Sequence, residues 1–168
     1  PFHRTLVELF EARAKPPLGL ADAHETLVTV LPWDIDVFWE LNNGRTLTLL
    51  DIGRFGYFVR LGFLQKMKAR KWGGTVAGVS VRYRRRVRMF DRVTLVTTGL
   101  GRDERFFYLD QSLWRNGTAT GNVLLRLAIT GGDGIVPTDE VLAALGVADW
   151  NPPLPDWAAA WADAEATR

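Results

Sequence analysis

Between Gly44 and Leu61 the apolar residues Leu47, Leu49, Leu50, Ile52, Phe55, Phe58 and Val59 recur so densely that a helix over this span has no wide polar face. Such a helix has to be enclosed. Gly53, Gly56 and Gly62 weaken its intrinsic preference while letting neighbouring backbone come close, so its stability must come from a surrounding sheet. Asn42 or Asn43 can cap its start.

The downstream residues can supply that sheet. From Thr75 on, strand-forming runs are cut near Phe90-Asp91, at Gly101-Arg102-Asp103 and at Asn116-Gly117, which predicts four consecutive strands. Asn116-Gly117 is the sharpest break, because a two-residue type I′ turn needs positive φ at both central positions. It sets Arg115 opposite Thr118. Extended along the hairpin, this register puts Trp114 opposite Ala119, Ser112 opposite Gly121, Tyr108 opposite Leu125 and Phe106 opposite Leu127, with the aromatics on one buried face. Upstream, Glu25 to Leu31 alternates around Leu27, Thr29 and Leu31 and closes at Pro32, as a first strand does. Leu6, Leu9, Phe10 and Ala14 predict a peripheral helix that ends before Pro16-Pro17. Gly131-Gly132-Asp133-Gly134 ends the sheet, and Thr138 or Asp139 can cap a short helix through Leu145. Pro152-Pro153-Leu154-Pro155 then leads into a Trp/Ala-rich terminal helix.

A chain of 168 residues that is 47% apolar and 24% charged fits one compact domain, with its core at about 24–131 and a helical extension at about 137–168. No apolar run approaches the roughly 20 residues needed to cross a bilayer, and the sequence does not open like a signal peptide. The expectation is a soluble, cytoplasmic protein with no membrane span. Having no cysteine, the chain has no disulfide, thiol nucleophile or thiolate metal site, and His3 and His24 are its only histidines. No metal or other cofactor is expected. Gly73-Gly74 and the 131–134 glycines lack the setting of a P-loop or dinucleotide fingerprint and read as turns.

The net charge is only +2, yet Arg82, Arg84, Arg85, Arg86, Arg88 and Arg92 crowd together with Asp91 alone opposing them. Read as one strand from Thr75 to Met89, the segment puts Val79, Val81, Tyr83, Val87 and Met89 on one face and Ser80, Arg82, Arg84, Arg86 and Arg88 on the other. Such a basic face is either simply solvated or holds phosphate. Nucleic acid is not the expected partner, because aromatics do not interleave with the arginines.

The chemistry concentrates at Asp34-Ile35-Asp36-Val37-Phe38-Trp39-Glu40-Leu41-Asn42-Asn43. Carboxylates just ahead of a helix start lie beside unpaired N–H groups that suit a developing oxyanion. Asp36 to Asn43 resembles the Asp-x-x-x-His-x-Asn-Asn signature of the 4-hydroxybenzoyl-CoA thioesterase-like branch of the hotdog acyl-CoA thioesterases, and the similarity spans about 25–130. The order of one strand, one buried helix and four strands is also that of the hotdog fold, an α+β architecture. In it a five-stranded antiparallel sheet wraps a central helix, here with short peripheral N- and C-terminal helices.

The resemblance implies that Asp36 is the catalytic carboxylate and that acyl-CoA binds at a dimer interface. It also implies that Asp51, Gly53 and Arg54 take the place of the family's helical Glu-x-Ala-Arg segment. Two positions depart from the pattern: Glu40 replaces the motif histidine, and Thr46 replaces a tyrosine. The expected activity is hydrolysis of an acyl-CoA-type thioester, with Asp36 attacking the carbonyl or activating water; the alternative is an acyl-CoA or lipid-binding module without turnover. Catalytic candidates are Asp36, Glu40, Asn42 and Asp51; substrate-binding candidates are Trp39, Asn43, Gly44, Tyr83, Arg84 and Arg86. Plainer roles stand beside these. Asp36 can shape a turn, Glu40 can offset the helix dipole, the asparagines can cap, and Asp51 can pair with Arg54 or Arg45. A homodimer or homotetramer is expected, since a lone hotdog sheet leaves an open edge.

Overall fold

The computed structural model describes residues 2–167. A helix α1 (Phe2–Ala14) leads to strand β1 (His24–Thr29), a 3-10 turn (Pro32–Asp34), the long helix α2 (Asn43–Arg60) and a short helix α3 (Phe63–Arg70). Strands β2 (Gly73–Tyr83), β3 (Arg92–Arg102), β4 (Phe107–Arg115) and β5 (Thr118–Gly131) follow, then a two-residue β6 (Gly134–Ile135) and helices α4 (Thr138–Leu145) and α5 (Asp156–Ala166). The main strands lie in the order β1-β3-β4-β5-β2, all antiparallel, with β6 added to β5. This is the hotdog arrangement.

The sheet's inner face encloses α2 as its sequence requires. Leu49, Leu50 and Ile52 pack with Val93, Leu95, Leu113 and Val123, while Tyr57 and Phe63 pack with Phe107, Leu109, Leu125 and Leu127. Gly56 carries the helix past a buried pair: a Cβ there would overlap Glu8 Oε1 and His24 Nε2, which lie 2.8 Å apart. That pair fastens α1 to β1. On the outer face α5 covers Tyr108 and Leu124 with Ala158 and Trp161.

The breaks between β3, β4 and β5 fall where the sequence puts them, and Asn116 and Gly117 have φ of 49° and 73° between the paired Arg115 and Thr118. The register holds only as far as Trp114 opposite Ala119. Thr120 then has no partner, so Ser112 faces Asn122, Tyr108 faces Arg126, and Phe107 rather than Phe106 faces Leu127. The extra residue is a bulge, fixed by the Thr120 hydroxyl on Leu113 O and by Thr120 O accepting both Arg84 and Arg85 N–H. It reverses the side-chain parity within β5, so that Leu125 and Leu127 turn inward opposite Leu109 and Phe107 while Leu124 lies under α5 with Tyr108; Trp114, opposite Ala119, is on the outer side.

Four further points differ from the sequence reading. In β1 the inward side chains are His24, Thr26 and Val28, and Leu27 is exposed; the polar residues are tolerated inside because Glu8 and Thr26 both bond His24. Strand β2 stops at Tyr83, so Arg84 to Arg88 belong to an irregular segment rather than to one face of a strand. Helix α3 lies unforeseen in the Gly62 to Gly73 interval. Thr138 is not a cap: it is the first residue of α4, and its hydroxyl bonds Asp103 O.

Candidate active site

The segment between β1 and α2 is built by its own polar groups. Asp34 is fully buried; its carboxylate accepts Leu31 N–H at 2.9 Å, Arg4 Nη1 at 2.8 Å, and Arg45 Nε and Nη2 at 3.1 and 2.8 Å. Burial by itself raises the Asp34 pKa, but the Leu31 N–H and the two guanidiniums outweigh it and hold the carboxyl below the usual carboxylate range. This anchors the segment to α1 and to the first turn of α2.

Beyond Asp34 the chain makes a tight turn. Ile35 bridges Leu41, Asp36 N–H donates to Glu40 O at 2.8 Å, and Trp39 takes a φ of 62°. Asp36 Oδ1 accepts the N–H groups of Phe38 at 2.8 Å and Glu40 at 3.3 Å, so one of its oxygens is spent on shaping the turn. Its other oxygen has no partner among the described residues. Asn42 caps α2, its Oδ1 accepting Gly44 N–H at 2.9 Å and Arg45 N–H at 3.2 Å. Two of the helix-start donors are thereby taken. The Asn43 N–H is left without an acceptor among the described residues.

Next to the start of α2 lies a cavity of about 320 Å3. Its lining brings together Glu40, Asn43, Thr46, Tyr83, Arg84 and Arg86 with the floor residues Thr120, Gly121 and Asn122. Glu40 Oε1 meets Arg86 Nε at 3.0 Å, and the Tyr83 hydroxyl donates to Asn43 O at 3.4 Å. Desolvation raises the Tyr83 pKa, so the phenol is neutral and can donate. Asp36, Trp39, Asn42, Gly44 and Asp51 do not line this cavity. Trp39 is 68% exposed in the turn.

Asp51 pairs with Arg54, whose Nη1 reaches Gln111 Oε1 at 3.0 Å, and Gln111 in turn donates to Leu50 O and Thr97. Burial lowers the Arg54 pKa to about 10, which leaves it charged at neutral pH. The network satisfies polar groups between α2 and the sheet, the structural role weighed for Asp51. Sequence reasoning missed Asp34 as the anchor, and Thr120 and Asn122 as cavity floor. The first had a signal in its spacing from Arg45; the second had none without the bulge.

Residues 30–161 match the family described as the Thioesterase-like superfamily. The chain belongs to that superfamily. Within it, Protein THEM6 of Xenopus laevis is 33% identical over 111 residues, covering 66% of this chain and 54% of the relative. The chain thus spans about half the length of that relative. Among solved structures, Escherichia coli YbaW, described as a probable thioesterase, superposes with a TM-score of 0.66 at 21% identity, over 73% of this chain and 96% of that one. The Staphylococcus aureus protein SAV2348, solved in complex with CoA, gives a TM-score of 0.64 at 11% identity, over 82% of this chain and 91% of its own. These likenesses confirm the superfamily's fold around α2. Among the described residues no helix is long and apolar enough to cross a membrane, and no group of three or more His, Cys, Asp or Glu could hold a metal ion.

Proposed function

We propose that the chain hydrolyses an acyl-CoA-type thioester at the cavity beside the α2 N-terminus, with Glu40 as the general base that activates water. The observation that carries this is the meeting, in one cavity, of Glu40 and Asn43, whose N–H has no acceptor among the described residues, at a helix start. A thioester carbonyl seated there would develop its negative charge against the Asn43 N–H and the positive end of α2. The thiolate leaves readily, so the departing sulfur needs no strong acid. Arg84 and Arg86 at the cavity wall suit the phosphates of the coenzyme. SAV2348 with its bound CoA and the superfamily's name support the substrate class.

A second reading gives the base or nucleophile to Asp36. It is favoured by the carboxylate oxygen that the turn leaves unused and by the motif position. Glu40→Gln and Asp36→Asn separate the two, because the amide oxygen that D36N introduces would still accept from the Phe38 and Glu40 N–H groups. In a thiol-release assay over an acyl-CoA panel, E40Q is expected to lose about 10²–10⁴-fold in kcat while D36N keeps most of its rate. The reverse pattern moves the role to Asp36. Saturable acyl-CoA binding with no thiol release by the wild type would instead make the protein a non-catalytic acyl-CoA module. A homodimer is part of the proposal: β2 forms an edge of the sheet with most of its residues exposed, a strand open to a second copy. Light scattering on the purified chain tests it.

A further inference from the structure

The turns at 36–40 and 88–91 leave the fold together. Glu40 forms an antiparallel bridge with Arg88 and an ion pair with Arg86, which joins the two into one surface. On it Val37, Phe38, Trp39 and Phe90 are 86%, 76%, 68% and 62% exposed. Four large apolar side chains clear of packing partners on two bridged turns go beyond the scattered apolar exposure of an ordinary surface. Trp39 and Phe90 also hold positive φ, 62° and 66°. Bulky residues avoid that conformation and keep it only where surrounding bonds enforce it. Here the bonds are Asp36 Oδ1 to the N–H groups flanking Trp39, Asp91 Oδ2 to Arg88 N–H at 2.7 Å, and Phe90 N–H to Val30 O at 2.8 Å.

Arginines border these rings. Arg84, Arg85 and Arg88 are exposed, and neither Arg84 nor Arg85 has a carboxylate partner among the described residues. Arg85, Arg86, Arg88 and Arg115 line a hollow of about 430 Å3 in the same region. Aromatic rings beside clustered arginines are the composition that seats at a lipid headgroup layer and pairs with its anionic groups. A second copy of the chain fits less well, since a two-fold contact sets the patch against itself and brings its arginines toward their own kind.

We propose that these two bridged turns dock the protein on an anionic lipid surface, with Phe38 and Trp39 at headgroup depth and the arginines on lipid phosphates. Arg84, Arg85 and Arg86 also line the cavity beside α2, so docking turns its mouth toward the bilayer. The docking itself does not depend on the thioesterase reading.

The test is co-sedimentation of the full chain with vesicles of phosphatidylcholine alone and of phosphatidylcholine mixed with phosphatidylserine. Binding is expected only to the mixed vesicles, weakening as salt rises. Arg85→Gln with Arg88→Gln should lower the partition coefficient by about fivefold per arginine. Val37→Ser with Phe38→Ser should lower it by about tenfold or more. Circular dichroism checks that each variant folds. If one does not, the wild type still decides the matter, because brominated phosphatidylserine in the mixed vesicles should quench its tryptophan fluorescence. Equal binding to both vesicle types, no binding or quenching with either, or unchanged partition in folded variants overturns the proposal. So does conversion of a dimer to a monomer by V37S/F38S with no lipid binding by the wild type, which would make the surface a contact between copies. Thiol release in lipid-free solution reports separately on the hydrolase reading.

Discussion

Asp34 is the residue whose loss should do most damage outside the cavity. Asparagine fits the same space but offers one acceptor oxygen where the carboxylate offers two, and it leaves Arg4 and Arg45 without a counter-charge. Breaking a buried ion pair from one side costs about 3–5 kcal/mol. The guanidiniums are 17% and 27% exposed, so water relieves part of that, and the lower end, about 3 kcal/mol, is expected. For a chain of this size that is roughly 6–12 °C in Tm, at about 2–4 °C per kcal/mol. Urea unfolding and calorimetry at neutral pH measure it. The pH dependence has a definite sign. Asp34 titrates lower in the folded protein than its ordinary 3.8, so the stability it lends is complete above about pH 4 and is lost as pH falls through the folded value. The gap between wild type and D34N should therefore be widest near neutrality and should close below about pH 4. A loss under about 1 kcal/mol, the worth of an exposed pair, or a gap that ignores acid, refutes the reasoning.

Gly56→Ala drives a methyl into the buried Glu8 carboxylate and His24 ring, which have to move apart; a loss of about 1–3 kcal/mol in urea unfolding is expected. Asn42→Ala removes the cap of α2 and should cost about 1 kcal/mol, and it also frees the Gly44 and Arg45 N–H groups beside the proposed oxyanion donor. A fall in kcat much beyond that stability loss would mean the cap also positions Asn43. Tyr57→Phe gives up a 2.6 Å hydrogen bond to Leu20 O in a site where burial pushes the phenol pKa upward, and about 1–2 kcal/mol should disappear from the unfolding free energy.

The parts of the fold legible in the sequence are those set by local pattern. An apolar helix without a polar side announced its own enclosure, and Asn116-Gly117 announced a hairpin. What escaped was set by contacts between distant residues. His24 and Thr26 look like an outward face until Glu8, from another element, is placed against them. Arginine alternation runs on past Tyr83, but the carbonyl of Thr120 takes the N–H groups of Arg84 and Arg85 and draws the chain out of the ladder. In the candidate site, the Asp36–Asn43 motif marks the turn and the helix start beside which the cavity lies. The split of labour within it, Asp36 bonded to the turn backbone and Glu40 in the cavity, depends on φ at Trp39, which residue types do not reveal.

The unpaired Thr120 lies between the tip of the β4–β5 hairpin and the hollow that Gly121 and Asn122 floor. Because the phase change happens there, whatever is grafted at Asn116-Gly117 meets the sheet before the offset and need not be matched to the cavity. That tip is therefore a natural place to attach a dye or a peptide handle, whereas excising the single threonine would flip the parity of β5 from Gly121 onward, under the cavity.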